Sequence, residues 1–118
     1  MIKILVCGGR KYDNIDKFFD VMMEHVAMYE AKDVTIISGM AKGADTLAAN
    51  FAKKNGCKLL AFPANWDKDG KAAGPIRNRR MLKEGQPDLV IAFPGGKGTK
   101  DMVDISIKAG VQVVLVNE

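Results

Sequence analysis

One histidine and two cysteines are all that 118 residues offer in the way of soft metal ligands. Cys7 and Cys57 form no C-x-x-C pair, and with one histidine they cannot complete a zinc set. No metal site and no bound cofactor are therefore expected. Both cysteines read as buried free thiols of a reducing cytoplasm, since a scaffold stapled by disulfides carries many more. No stretch approaches the roughly eighteen apolar residues that a membrane helix needs, so no membrane partner is expected. Met1-Ile2-Lys3-Ile4-Leu5-Val6 is too short, and too soon followed by glycine and arginine, to be a secretory signal. Repeats, low-complexity tracts and linkers are missing too, and residues 1–118 read as one cytoplasmic domain. The charge imbalance is small. A net charge of +4 suits a ligand that bears phosphate and is too weak to argue for nucleic acid alone.

What the sequence does hold is glycine, placed with a pattern. Pro94-Gly95-Gly96-Lys97-Gly98-Thr99 follows Asp88 to Phe93, an apolar run that reads as a strand buried on both faces. It precedes Lys100 to Ala109, which reads as a helix ending at Gly110. Glycines there let the backbone approach a ligand closely. The free N–H groups of the next helix then favour a phosphate or carboxylate.

Taken in order, Ile2 to Cys7 reads as strand one, closed by Gly8-Gly9. Asn14 can cap a helix from Ile15 to Glu30. Its stripe of Ile15, Phe18, Phe19, Met22, Val26 and Tyr29 is expected to be buried, and Met22, Met23 and Met28 to serve packing. His25 lies off that stripe and reads as solvated. Asp33 to Ser38 is strand two. The helix after Lys42-Gly43 buries Ala44, Leu47, Ala48 and Phe51 and stops at Asn55-Gly56. Cys57 to Phe62 is strand three, Ala64 to Ala73 a longer loop, and Gly74-Pro75 the start of a short helix ending near Gly85. Val111 to Val116 is strand five. Strands alternating with helices imply an α/β, Rossmann-like, three-layer domain with a five-stranded parallel sheet. The expected strand order is 3-2-1-4-5, with the ligand crevice where that order reverses. Seven of the twelve glycines fall just after strands one, two and four, at the functional end.

Each glycine stretch has a functional and a plain reading. Gly9 and Arg10 give backbone room and a guanidinium fork for phosphate, or a tight turn with a solvated arginine. Ser38, Gly39, Lys42 and Gly43 make an anion nest with a hydroxyl donor. Asp45 then holds a ribose hydroxyl or simply complements the helix dipole. Trp66 stacks on a base or anchors the edge of the core. Arg77 to Arg80 make a solvated basic helix face or a crevice wall; the three arginines cannot all point one way, so at most one or two reach the crevice, with Asn78 reading ribose or base. Pro94, Gly95, Gly96, Lys97, Gly98 and Thr99 fit neither the Walker A nor the G-x-G-x-x-G pattern.

Gly9-Arg10, Ser38 to Ala48, Pro63 to Trp66, Gly70 to Asn78, Met81 and Pro94 to Thr99 together resemble the SLOG superfamily of Rossmann-like domains, most closely its small YspA-type members. The resemblance covers essentially the whole chain. It implies a nucleotide-like ligand and, since relatives are often dimers, a homodimer. Two branches imply different activities. In the LOG-type phosphoribohydrolases, which Arg77, Met81 and Pro94 to Thr99 resemble, an arginine and a glutamate cleave the N-glycosidic bond of a nucleoside monophosphate. Arg77 and Asp101 are the implied catalytic pair here, because Met102 stands where the motif has glutamate. The DNA-processing protein A fold, which Ser38 to Asp45 resembles, implies single-stranded DNA. Binding of a nucleoside monophosphate, ADP-ribose or a related signalling nucleotide, for sensing or sequestration, ranks first. Hydrolysis ranks second and DNA binding third.

Overall fold

β1 (Ile2–Cys7) lies at the centre of a computed structural model that describes residues 1–118. Ile4 to Cys7 are all buried, which an apolar strand allows only when helices cover both faces of its sheet. β1 pairs in parallel with β2 (Val34–Ser38), Ile4 opposite Ile36, and with β4 (Leu89–Ala92), Ile4 opposite Leu89. β3 (Lys58–Ala61) and β5 (Gln112–Leu115) are the half-exposed edges. The order is β3-β2-β1-β4-β5, all parallel. The expected fold and strand order are both present.

Five helices make the outer layers: α1 (Ile15–Val26), α2 (Ala44–Asn55), α3 (Trp66–Asp69), α4 (Ala73–Gly85) and α5 (Lys97–Lys108). Alternate residues of a strand face opposite sides, and the core divides accordingly. Ile4, Val6, Ile36 and Ile91 pack on Phe18 and Met22 of α1 and on Ala48 and Phe51 of α2. Leu5, Cys7, Ile37 and Val90 pack on Met81 of α4 and Met102 of α5. No helix is long and apolar enough to cross a membrane.

Several expected boundaries move. α1 stops at Val26, short of Glu30. A twelve-residue helix spans about 18 Å, close to the roughly 20 Å of a six-residue strand, so four more residues would overshoot the sheet. Tyr29 and Met28 are consequently exposed, and so are Ile15 and Phe19 on the outer edge of the stripe. Met28 serves no packing. His25 is half-buried and its Nδ1 donates to the Val21 carbonyl at 2.8 Å. Residues Ala31–Asp33 form a 3-10 turn, so β2 begins at Val34. Strands three, four and five are each one residue shorter at both ends than their apolar runs. α3 lies inside the expected loop, started by Asn65, whose Oδ1 accepts from the Lys68 N–H at 3.1 Å. α4 has thirteen residues, with Pro75 in its first turn, where an N–H is not needed. α5 begins at Lys97, not Lys100, so Lys97, Gly98 and Thr99 are helix and only Pro94 to Gly96 are loop.

Candidate functional site

The loops after β1, β2 and β4 meet at Gly9. Its N–H donates to the Pro94 carbonyl at 2.8 Å, and its carbonyl accepts from Ala44 N–H and Tyr12 N–H, each at 3.2 Å. A side chain at Gly43 would collide with that same carbonyl, and Gly43 has φ +78°. Only glycine suits this crossing. Sheet order reverses here, between β1 and β4, which is where α/β sheets leave room for ligands.

The cleft that results holds about 430 Å³, within the usual size of small-molecule sites. Gly9, Arg10, Asp45, Trp66, Arg77, Asn78, Gly96, Lys97, Gly98, Thr99 and Asp101 line it. Ser38, Gly39, Lys42 and Gly43 do not, and Pro94 and Gly95 face a second cleft instead. Residues that the motifs did not single out as ligand contacts complete the wall: Cys7, Gly8, Ala41, Gly74, Pro75, Met81 and Met102. The spacing of Met81 and Met102 on their helices is the ordinary core signal; only the phosphoribohydrolase resemblance, which takes in Met81 and puts Met102 where the motif has glutamate, pointed to this cleft.

The β2 loop is occupied by the protein itself. Ser38 Oγ is buried, donates to the Asp45 carbonyl at 2.9 Å and accepts from Met40 N–H at 3.1 Å. Asp45 reaches back from the first turn of α2, and its Oδ2 accepts from Ala41 N–H at 3.3 Å. The nest thus already holds a carboxylate. Asp45 is 6% exposed, and burial pushes its pKa up to about 6 against the opposing pull of Ala41 N–H, Arg77 and Arg10. It titrates in a range where it can hold or release a proton.

Arg77 reaches across from α4. Its Nη1 donates to the Gly39 carbonyl and its Nε to Asn78 Oδ1 at 3.0 Å. Burial lowers its pKa, the Asp45 carboxylate opposes that, and Arg77 stays charged. Arg79 and Arg80 point elsewhere, to Asp101 and to Glu84. Arg10 lies over Trp66, its Cζ 5.5 Å from the ring centroid, a cation–π arrangement at the mouth. Neither Arg10 nor Arg77 enters an ion pair; the four in the molecule join Lys32–Glu30, Arg79–Asp101, Arg80–Glu84 and Lys100–Asp104.

Asn78 is buried and bolts α4 to the first turn of α5. Its Nδ2 donates to the Gly98 carbonyl at 3.3 Å and to Asp101 Oδ2 at 3.0 Å. Asp101 also accepts from Arg79 on both oxygens, at 3.3 and 3.4 Å. Asn78 therefore spends its amide on the fold, and Asp101 has both oxygens engaged. Cys7, at the floor, is driven up to about 12 by burial and by Asp45, so it is a neutral thiol and no nucleophile. No group of three or more His, Cys, Asp or Glu side chains is arranged to hold a metal.

The Gene 61 protein of Mycobacterium phage D29 is 29% identical over 123 residues, covering 97% of this chain and 95% of the relative. The X-ray structure of DNA processing protein A from Streptococcus pneumoniae superposes with a TM-score of 0.53 at 22% identity. That match takes in 97% of this chain and only 58% of the other, and it is a likeness of fold. The family described as YspA, cpYpsA-related SLOG matches residues 2–68, from β1 through the β2 loop and α2 to α3. The chain belongs to the YspA, cpYpsA-related SLOG family.

Proposed function

We propose that the protein binds a nucleotide-derived ligand, of the class of nucleoside monophosphates, ADP-ribose and related signalling nucleotides, and senses or holds it. One observation carries this reading. Arg10 and Arg77 line one cleft and neither enters a salt bridge, the Asp45 carboxylate that both favour being the one negative group near them. Two guanidinium groups in a partly enclosed site favour an anion, and their fork matches phosphate. The first-turn N–H groups of Lys97, Gly98 and Thr99 at the start of α5 add donors of the same kind.

The phosphate is assigned to the α5 side alone, because the β2 loop has spent the N–H groups of Met40, Ala41 and Ala44 internally. Trp66, 48% exposed at the mouth, offers its ring to a base. Asp45 offers a carboxylate to a ribose hydroxyl. Binding without cleavage is favoured, because Asp101 is held by Asn78 and Arg79 and Met102 brings no carboxylate.

Thermal unfolding in dose series of AMP, ADP-ribose, NAD and a short single-stranded oligonucleotide tests the reading. A ligand specific for the native state stabilises it in proportion to RT ln(1 + [L]/Kd). A dose-dependent shift with one small nucleotide, recovered intact, is the expected result. Free base in the recovered mixture would replace binding with hydrolysis. A shift with the oligonucleotide alone would contradict a small-molecule site.

A further inference from the structure

A second cleft, of about 570 Å³, opens on the other side of the β1–β4 junction. Lys11, Tyr12, Asp13 and Asn14 ahead of α1 line it, with Asn117 after β5. Gly9, Arg10 and Gly96 line both clefts. Those three residues form the shared wall of the two chambers, and Arg10 is the only charged residue in it. Its guanidinium carries five donors and no ion pair engages them.

The chambers differ in chemistry. The first presents the flat ring of Trp66 with Met81 and Met102, surfaces suited to a planar base. Among the side chains that line the second, Tyr12 alone is hydrophobic. Tyr12 is fixed there, its ring against Phe93 and its hydroxyl donating to the Glu118 carbonyl at 2.7 Å. Asp13 and Asn117 are exposed, and neither side chain is engaged in the hydrogen bonds that hold this rim. An acceptor and an amide, both free in a cleft that Arg10 also lines, are groups that bind sugar hydroxyls.

We propose that the ligand is a nucleoside diphosphate joined through its outer phosphate to a sugar. Its base half lies in the first cleft, its diphosphate crosses the wall at Arg10, and its sugar lies against Asp13 and Asn117. The proposal rests on the nucleotide reading of the first cleft and narrows it to a two-part ligand.

Calorimetric titration of the full chain tests it with matched pairs: ADP against ADP-ribose, GDP against GDP-mannose, UDP against UDP-glucose. In at least one pair the sugar-linked member binds about tenfold more tightly, as two or three added hydrogen bonds to hydroxyls would give. That advantage disappears in Asn117→Trp, which fills the second cleft, and shrinks in Asp13→Ala, while affinity for the plain diphosphate is kept. Diphosphate and diphosphate-sugar binding equally well in every pair would overturn the two-part ligand and leave the first cleft standing. Binding of no nucleotide in any pair would overturn both readings. Displacement of the diphosphate-sugar by a short single-stranded oligonucleotide of higher affinity would also overturn it, since a polynucleotide backbone would then be what crosses the wall.

Discussion

The N–H of Gly9 donates to the carbonyl of Pro94 at 2.8 Å, so that the loop after β1 and the loop after β4 are one structure. Gly43 completes it from the third loop, with φ +78° and no room for a Cβ against the Gly9 carbonyl. Gly43→Ala should therefore cost about 2 kcal/mol or more, from backbone strain and displacement of the β1 loop. Gly98→Ala meets open space and should leave the unfolding midpoint unchanged or slightly raised, since alanine suits a helix better. Chemical denaturation of both variants checks this. Equal midpoints for the two would mean that the crossing at Gly9 is not under steric constraint.

Asp45 makes stability depend on pH in a stated direction. Its carboxyl keeps a proton to about pH 6 in the folded chain, against an ordinary value of 3.8. Between those values the native state binds more protons than the unfolded chain, so its contribution is complete below about pH 4 and is lost as pH rises through 6. At about 1.4 kcal/mol for each pKa unit, the loss is about 3 kcal/mol. Asp45→Asn, which cannot ionise, should gain on the native protein by about that amount from pH 4 to 7 and no further above. Denaturation series of both proteins across that range provide the check. A constant difference would mean that Asp45 is ionised throughout.

Arg10 and Arg77 should separate binding from folding. Arg10 makes no hydrogen bond within the protein that the fold depends on, and it lies against Trp66. Arg10→Ala should weaken nucleotide binding by about ten- to a hundredfold, the worth of one charge-assisted bond, without moving the unfolding midpoint. Arg77→Ala should weaken binding similarly and also destabilise by about 1–3 kcal/mol, because the buried Gly39 carbonyl loses its donor. Affinity and midpoint measured on the same preparations show whether the two arginines divide this way.

Asn78→Ala removes three hydrogen bonds that join Arg77, Gly98 and Asp101. The expected cost is about 1–3 kcal/mol, with weaker nucleotide binding because α5 loses its fixed position against α4. Asn78→Asp should not rescue it, since a carboxylate cannot donate to the Gly98 carbonyl or to Asp101.

The fold was largely legible in the sequence because its signals are local. Apolar strand runs, helix stripes and glycine-rich turns gave five parallel strands in the order observed. Helix lengths were less legible. Where α1 ends depends on the length of the sheet beneath it, and α5 starts inside a glycine stretch that propensity alone would leave as loop. Within the site, residue type pointed to the glycine loops, Arg10, Asp45 and Arg77. It did not tell which groups the fold consumes. Ser38 and Asn78 have the right chemistry for a ligand, yet their bonds run to Asp45, Met40, Arg77, Gly98 and Asp101. Apart from Arg77, the chain neighbour of Asn78, those partners lie in other elements or across a turn, and only the packed chain brings them together.

The most direct measurement is a backbone amide NMR titration with AMP and with ADP-ribose. Saturable shifts of the Gly96, Lys97, Gly98 and Thr99 amides, with those of Gly9 and Arg10 and with little movement at Ser38 to Gly43, are the expected result. Shifts centred on Ser38 to Gly43, or no saturable shift at the start of α5, would contradict the assignment of the phosphate to that helix.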